Sequence, residues 1–375
     1  MLTSIIILTH NQLKYTKECI DSIREYTDQQ EYELIVVDNA STDGTVQWLQ
    51  QQQDILMIEN AENMGFPKGC NQGIKKAKGE NILLLNNDIV VTKNWLKNLL
   101  TCLYAEKDTA AVGPVTNNAS YYSAIPTFYT NIEEMQKFAS EFNQSDRKKW
   151  EERMKLIGFC MLIKKTVLDE IGLLDERFTP GNYEDDDISL RIYEKGYKLF
   201  LCKDTFIHHY GSASWKEDNI NFSIVLNKNS KKFHEKWGFS EENLFIHYDL
   251  LEIAERVVAD YSQEGMNILY IGAGCGATLL ELQRRYPEAS IYAVESNEKA
   301  AVFANKIAPT ICIEYDKLNE GLDKKNFQIV FLSSPIEPDR LMNVIESISQ
   351  KLAPTGNIIM SKLNFHNYNI LQNEK

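Results

Sequence analysis

The sequence predicts an α/β protein of two domains, each built on a mostly parallel sheet. Short β-branched apolar runs alternate with segments whose apolar residues recur every three or four positions. This alternation starts at Thr3, lapses between Ala119 and Arg153, and begins afresh at Asn267. The chain has 375 residues, 43% hydrophobic and 25% charged, enough for two cores of ordinary size.

Thr3–Thr9 reads as a strand, and Tyr15, Cys19, Ile23 and Tyr26 mark one face of the helix that follows. Glu33–Val37 is the next strand. Ile55–Ile58, the glycine-punctuated Gly65–Lys78 and Asn81–Leu85 repeat the pattern, so functional residues belong where these strands end. Ala119–Arg153 carries tyrosines, asparagines and charges without a period. It reads as an excursion over the sheet that either shapes a ligand site or is a plain surface insertion. Leu244, Tyr248, Leu251, Ala254, Val258 and Tyr261 keep helical spacing through Glu242–Gln263, which places a boundary near Leu250. The expected division is a domain over 1–245, a helical connector over 246–263 and a second domain over 264–375.

A formal net charge of −13 works against nucleic acid and anionic membranes, because the term that dominates such binding is repulsive here. An anionic ligand would need a cation beside it. Seven cysteines without a C-x-x-C pair suggest neither a disulfide framework nor a structural zinc site, and buried thiols of a reducing compartment are expected. No apolar run reaches the roughly 18 residues of a membrane span, and Met1–His10 lacks the charged start of a signal peptide. A soluble, cytoplasmic protein is expected; its oligomeric state is not legible.

Thr9-His10-Asn11 follows the first strand, and Asp38-Asn39-Ala40-Ser41-Thr42-Asp43-Gly44-Thr45 follows the second. Taken alone, the latter is also an ordinary helix-capping turn. Asn63 to Gly73 comes next, and then Asn86-Asn87-Asp88 closes an apolar run, where a carboxylate is costly without a partner. Farther on stand Tyr183-Glu184-Asp185-Asp186-Asp187-Ile188-Ser189-Leu190-Arg191 and Ile207-His208-His209-Tyr210-Gly211-Ser212-Ala213-Ser214. Four consecutive acids also suit a solvated helix start, but apolar and aromatic residues flank them rather than lysines.

The succession of these segments resembles the family 2 inverting glycosyltransferases of GT-A fold, over residues 1–215. The resemblance implies a nucleotide-sugar donor held by Thr9, Asn11, Asp38, Asn63, Lys68, Asn71, Asn87 and Asp88, with Asp38 on the nucleobase. The D-x-D position falls on Asn86-Asn87-Asp88, so Asp88 alone supplies an anionic ligand to Mn2+ or Mg2+. Glu184-Asp185-Asp186-Asp187 and Arg191 match E-D-x-D-x-x-x-R, with Asp185 as general base and Glu184, Asp187 and Arg191 supporting the acceptor side. Crowding of the acids raises the pKa of that base. Alignment of Gly211-Ser212-Ala213-Ser214 on H-x-G-[GS]-x-S selects His209 rather than His208 for the metal or diphosphate. The same resemblance implies a uracil donor, with deoxythymidine diphosphate-rhamnose as competitor. The sugar would be a hexose or N-acetylhexosamine, and the acceptor a hydroxyl of a bacterial surface glycan or a protein such as flagellin.

In the second domain, Asn267–Ile271 runs into Gly272-Ala273-Gly274-Cys275-Gly276, and Glu295 ends the next strand nineteen residues after Gly276. Such geometry brings backbone close to a nucleotide and lets the acid bond ribose hydroxyls. The string fits G-x-G-x-x-A through Ala277, but G-x-G-x-G fits better and resembles motif one of S-adenosylmethionine-dependent methyltransferases. Gly272, Gly274, Gly276 and Glu295 would then hold S-adenosylmethionine, and Phe327–Ser333 and Gly356–Met360 would be later strands of a truncated Rossmann-like domain. The last two strands usual in that family and identifiable methyl-acceptor residues are missing. A methyltransferase acting on a glycan, with the first domain as targeting module, is the alternative reading; a scaffold with two relic pockets is the third.

Overall fold

The largest sheet of this computed structural model has eight strands. Residues 1–211, 222–258, 264–322 and 326–373 are described. β1 (Thr3–Thr9), β2 (Tyr32–Asn39), β3 (Ile55–Asn60) and β4 (Asn81–Asn86) are its parallel half. Ile5–Ile7, Ile35–Val37 and Ile82–Leu85 are buried on both sheet faces, as near-continuous β-branched and leucine runs of a covered parallel sheet should be. After β5 (Ile89–Val90), the chain adds β6 (Thr109–Val115), β7 (Trp150–Arg153), β8 (Cys160–Lys164), β9 (Lys198–Phe206) and β10 (His208–His209). The order is β3-β2-β1-β4-β8-β6-β9-β7, while β5 and β10 form their own antiparallel pair.

Helices α1 (Leu13–Tyr26), α2 (Thr45–Leu49), α3 (Phe66–Lys76) and α4 (Trp95–Leu103) follow the first strands. On α1 the predicted spacing buries Cys19 and Ile23, with Ile20 beside them. Gly69 and Gly73 let α3 close onto the sheet: a Cβ there would stand 2.2 Å from Leu8 and 2.6 Å from Ile6. Then come α5 (Ile132–Phe142), α6 (Lys165–Ile171), α7 (Glu184–Glu194) and α8 (Phe222–Trp237). The segment read as a patternless excursion holds α5 and the outermost strand β7. β7 escaped notice because its inward residues, Glu151 and Arg153, are a buried ion pair rather than apolar side chains.

The chain divides into two compact units, Met1–Phe233 and His234–Lys375. In the second, β11 (Asn267–Ile271), β12 (Ser290–Glu295), β13 (Thr310–Cys312), β14 (Phe327–Leu332) and β15 (Leu352–Met360) are all parallel, in the order β13-β12-β11-β14-β15. Its helices are α9 (Tyr248–Val258), α10 (Ala277–Arg285), α11 (Glu298–Ala304), α12 (Leu318–Gly321), α13 (Pro338–Ser349) and α14 (Lys362–Asn373). The division lies earlier than Leu250 because the preceding turn already belongs to this unit: Cys275 N donates to Asn243 O at 2.8 Å, and His247 Nδ1 is 2.6 Å from Tyr270 Oη. Tyr261, counted into the expected connector, lies outside the described residues. Among the described residues no helix is long and apolar enough to cross a membrane. Six cysteines are buried, whereas Cys312 is exposed.

Candidate active site

Strand register brings the predicted turns of the first unit together. Thr9 pairs with Asp38 and Leu8 with Asn86, so the ends of β2, β1 and β4 lie side by side. Asp38 is fully buried. Its Oδ1 accepts from Ser41 N at 2.8 Å, while Oδ2 has no hydrogen-bond partner among the described residues. A buried carboxylate oxygen left in this state is suited to a donor that arrives with a ligand. Asn11, at φ 54°, ties the turn after β1 to the turn after β2: its N–H donates to Ser41 Oγ at 2.7 Å and its Oδ1 accepts from Thr42 N at 2.8 Å.

Several of the other candidates are engaged with the protein itself. Asn87 Nδ2 donates to Thr16 Oγ1 at 3.1 Å and Thr9 Oγ1 at 3.4 Å, which makes Thr9 and Asn87 part of the floor of the site. Asn63 Oδ1 accepts from Gly65 N at 3.0 Å and Asn39 Nδ2 at 3.2 Å. Asn71 spends both ends of its amide on Leu174, donating to O at 2.9 Å and accepting from N at 3.0 Å. It thereby ties α3 to the segment ahead of α7. Phe66 N donates to Pro180 O at 2.7 Å and adds a second tie, with Lys68 half-buried two residues later.

Asp88 and His209 meet across the β5–β10 pair, where His209 lies opposite Ile89. His209 Nε2 is 3.2 Å from Asp88 Oδ1 but makes no aligned hydrogen bond. Its Nδ1 is 2.7 Å from Asn118 O, and a carbonyl can only accept, so Nδ1 carries a proton. With Nδ1 protonated, the neutral ring turns the Nε2 lone pair toward a carboxylate, and only a cation between them, proton or metal, satisfies both. The pair thus fits a divalent ion that takes one imidazole and one carboxylate from the protein and oxygens from a ligand. Among the described residues no group of three or more His, Cys, Asp and Glu could hold a metal without such help. His208 turns elsewhere, with Nδ1 2.6 Å from Tyr129 Oη, and burial pushes its pKa down to about 4. Ser212, Ala213 and Ser214 of the predicted motif lie outside the described residues.

The acidic run opens α7, preceded by Asn182 and Tyr183 at φ 71° and 75°, a left-handed pair that is strained for non-glycine residues. Asp185 Oδ2 accepts from Gly158 N at 3.0 Å, and Oδ1 from Asp186 N at 3.0 Å. Burial, then the charge of Asp186, raises its pKa to about 6. Glu184 is raised well above the ordinary carboxylate value by burial and by Asp185, and its Oε2 lacks a hydrogen-bond partner among the described residues. Asp186 pairs with Lys155 at 2.6 Å. Arg191 pairs with the buried Asp187 at 2.9 Å and donates to the carbonyls of Ile171, Gly172 and Leu173, so Asp187 and Arg191 brace the segment ahead of the helix.

One stretch unites the two halves of the site. Gly158 holds Asp185, and its neighbour Phe159 stacks on His209 with ring centres 5.3 Å apart and planes at 14°. Phe159 O also accepts from Asn86 N at 2.9 Å. Asn117 clamps His209 through its backbone, accepting from His209 N at 2.8 Å and donating to His209 O at 3.1 Å. Sequence reasoning missed Gly158, Phe159, Asn117 and Asn118. Apart from the adjacent asparagines at the end of β6, they carry no local signal.

In the second unit, the close approach that the glycine turn permits is to the chain's own atoms. A Cβ on Gly272 would stand 2.1 Å from Ser334 Oγ, on Gly274 2.6 Å from Asn243 O, and on Gly276 2.5 Å from Ile307 Cδ1. Glu295 Oε2 accepts from Gly274 N at 2.7 Å and Oε1 from Asn297 N at 2.8 Å. The acid expected at ribose hydroxyls is thus spent on the loop, and Asn243 backbone lies against Gly274. These residues do not fit an S-adenosylmethionine cradle.

Acids at the ends of adjacent parallel strands, a carboxylate facing an imidazole and a raised carboxyl beside them describe an α/β enzyme site suited to an anionic, metal-borne ligand. Residues 4–172 match the family described as "Glycosyl transferase family 2". The chain is 22% identical over 277 residues to "Uncharacterized glycosyltransferase YfnE" of Bacillus subtilis, covering 60% of this chain and 69% of that protein. It is 26% identical over 235 residues to "Glycosyltransferase GlyG" of Streptococcus pneumoniae, covering 59% and 75%. Among solved structures it is similar to mannosyltransferase PcManGT from Pyrobaculum calidifontis in complex with GDP-Man and Mn2+, with TM-score 0.45, 19% identity and 63% of each chain covered. The family match and these relatives make the chain a transferase enzyme, a glycosyltransferase. The matched family residues end before Asp185, Arg191 and His209.

Proposed function

We propose that the first unit, in a GT-A arrangement, transfers a sugar with inversion from a nucleotide-sugar to an acceptor hydroxyl. The observation that carries this reading is the continuous contact from Asp88 through His209, Phe159 and Gly158 to Asp185. It sets a cation-seeking pair beside a raised carboxylate. Asp38, with its unpartnered Oδ2, binds the nucleobase. Asp88 and His209 hold Mn2+ or Mg2+, and a bound ion supplies charge neutralisation for the departing diphosphate.

Asp185 takes the acceptor proton as the hydroxyl oxygen bonds to the anomeric carbon. The bond from that carbon to the phosphate oxygen breaks on the opposite face, and the electron pair leaves with the nucleoside diphosphate. Asp186 is engaged by Lys155, leaving Asp185 as the acid whose proton uptake serves the reaction. Glu184, raised well above the ordinary carboxylate range by burial and by Asp185, stands beside the base.

The donor is a UDP-linked hexose or N-acetylhexosamine, and the acceptor a surface glycan or glycosylated protein. This reading accords with relatives such as "Low-salt glycan biosynthesis hexosyltransferase Agl10" of Haloferax volcanii, 24% identical over 229 residues. Methyl transfer is not carried forward, because the glycine turn of the second unit is filled by its own chain. Nucleotide release from a panel of UDP- and deoxythymidine diphosphate-sugars, with Mn2+ or chelator, tests the reading. Release from one donor that disappears with chelator is expected; release indifferent to chelator would remove the metal from the account.

A further inference from the structure

The loop after β6 carries features that donor chemistry leaves unused. Thr116 bridges to Ala124, with Thr116 N donating to Ser123 O at 2.9 Å and Ile125 N to Thr116 O at 2.8 Å. These bonds close a loop around Tyr121 and Tyr122, both in the left-handed region at φ 52° and 60°. For a bulky side chain this backbone is strained, and such strain gathers where a ligand is clamped. The two rings lie 5.6 Å apart at 49°, and Tyr122 is 45% exposed.

The loop touches both halves of the site. At one end Asn117 and Asn118 hold His209. At its tip, Lys155 Nζ sits 4.6 Å from the Tyr121 ring centre and 2.6 Å from Asp186 Oδ1, next in sequence to the base. Through Lys155 the loop is thus tied to Asp186, the neighbour of the base that takes the acceptor proton.

We propose that Tyr121 and Tyr122 form the acceptor subsite and that the acceptor is a neutral saccharide, a pyranose ring of which stacks on Tyr122. This rests on the transfer reading of Asp185. Exposed tyrosine rings offer an apolar face to the C–H face of a sugar and a hydroxyl to its polar rim. The buried Lys155–Asp186 pair beneath Tyr121 adds no net charge there. With −13 on the whole chain, an anionic acceptor would meet repulsion.

The test measures nucleotide release at saturating donor as p-nitrophenyl glycosides of glucose, galactose, N-acetylglucosamine and rhamnose are added to the full chain. One glycoside should accelerate release by wild type. Tyr122→Ala should raise the KM for that glycoside about tenfold with the donor KM unmoved, and Tyr122→Phe, which keeps the ring, should restore it. An unchanged glycoside KM in Tyr122→Ala, or equal loss of donor and glycoside affinity, overturns the subsite. Release in water that no glycoside accelerates overturns the saccharide acceptor alone. No release under any condition counts against the transfer reading, and the subsite falls with it.

Discussion

Asp185 lies where burial and the charge of Asp186 make its ionised form costly, which holds its pKa near 6. A base must be unprotonated to work, so the sign is set: kcat/KM for transfer falls as pH drops through about 6, and the acid limb is that of Asp185. A pH–rate profile checks this, with a limb near 4 as the contrary result, that of an unperturbed aspartate. Asn117 acts one layer out, fixing the backbone that carries His209. Asn117→Ala should weaken Mn2+ affinity about 10–100-fold, measured by metal titration of donor turnover. The two positions differ in how they can be found. Asp88 and His209 stand out in the sequence because a charged or imidazole group after an apolar run asks for a reason, and Asp185 because it stands among four consecutive acids. Asn117, Gly158 and Phe159 act through backbone bonds and one stacked ring, which any sequence can supply and none advertises. Asn63, Asn71 and Asn87 looked like ligand groups by place, yet their amides are engaged within the fold.

At the scale of elements, the start of α7 is held by Arg191, which joins buried Asp187 to three consecutive carbonyls ahead of the helix. Asn229 on α8 adds to this brace, donating to Phe178 O at 2.7 Å and Gly181 O at 2.9 Å. Arg191→Ala leaves the Asp187 carboxylate buried without its guanidinium, at a cost of about 3–5 kcal/mol. Urea unfolding checks the loss, and a change below about 1 kcal/mol would mean that the segment stands without the brace. The parallel strands were readable from sequence because covered strands are continuous apolar runs. β7 was not: its buried pair Glu151–Arg153 has no apolar period, and its pairing with β9 is set by contacts distant in sequence.

At the scale of the whole chain, the units carry unequal promise. The first gathers acids with one oxygen unpartnered among the described residues, strained left-handed residues and a raised carboxyl around one place. The second satisfies its motif internally: Glu295 bonds Gly274 and Asn297, and Asn243 packs on Gly274. A glycine-rich turn in sequence tells that backbone will be approached closely, not by what. S-adenosylmethionine should therefore leave the melting temperature unchanged. The right nucleotide-sugar with Mn2+ should stabilise by about 2.7 kcal/mol at one hundred times its Kd. Thermal scans with each ligand compare the two, and a rise with S-adenosylmethionine would reopen the second unit as a binding site.

The most direct measurement of the central claim pairs donor binding with transfer in Asp185→Asn, using the donor and glycoside that wild type accepts. If Asp185 is the base, calorimetry should find donor affinity with Mn2+ within about twofold of wild type while transfer falls by about 10²–10⁴. Transfer within tenfold of wild type would contradict the account and assign the proton to another group.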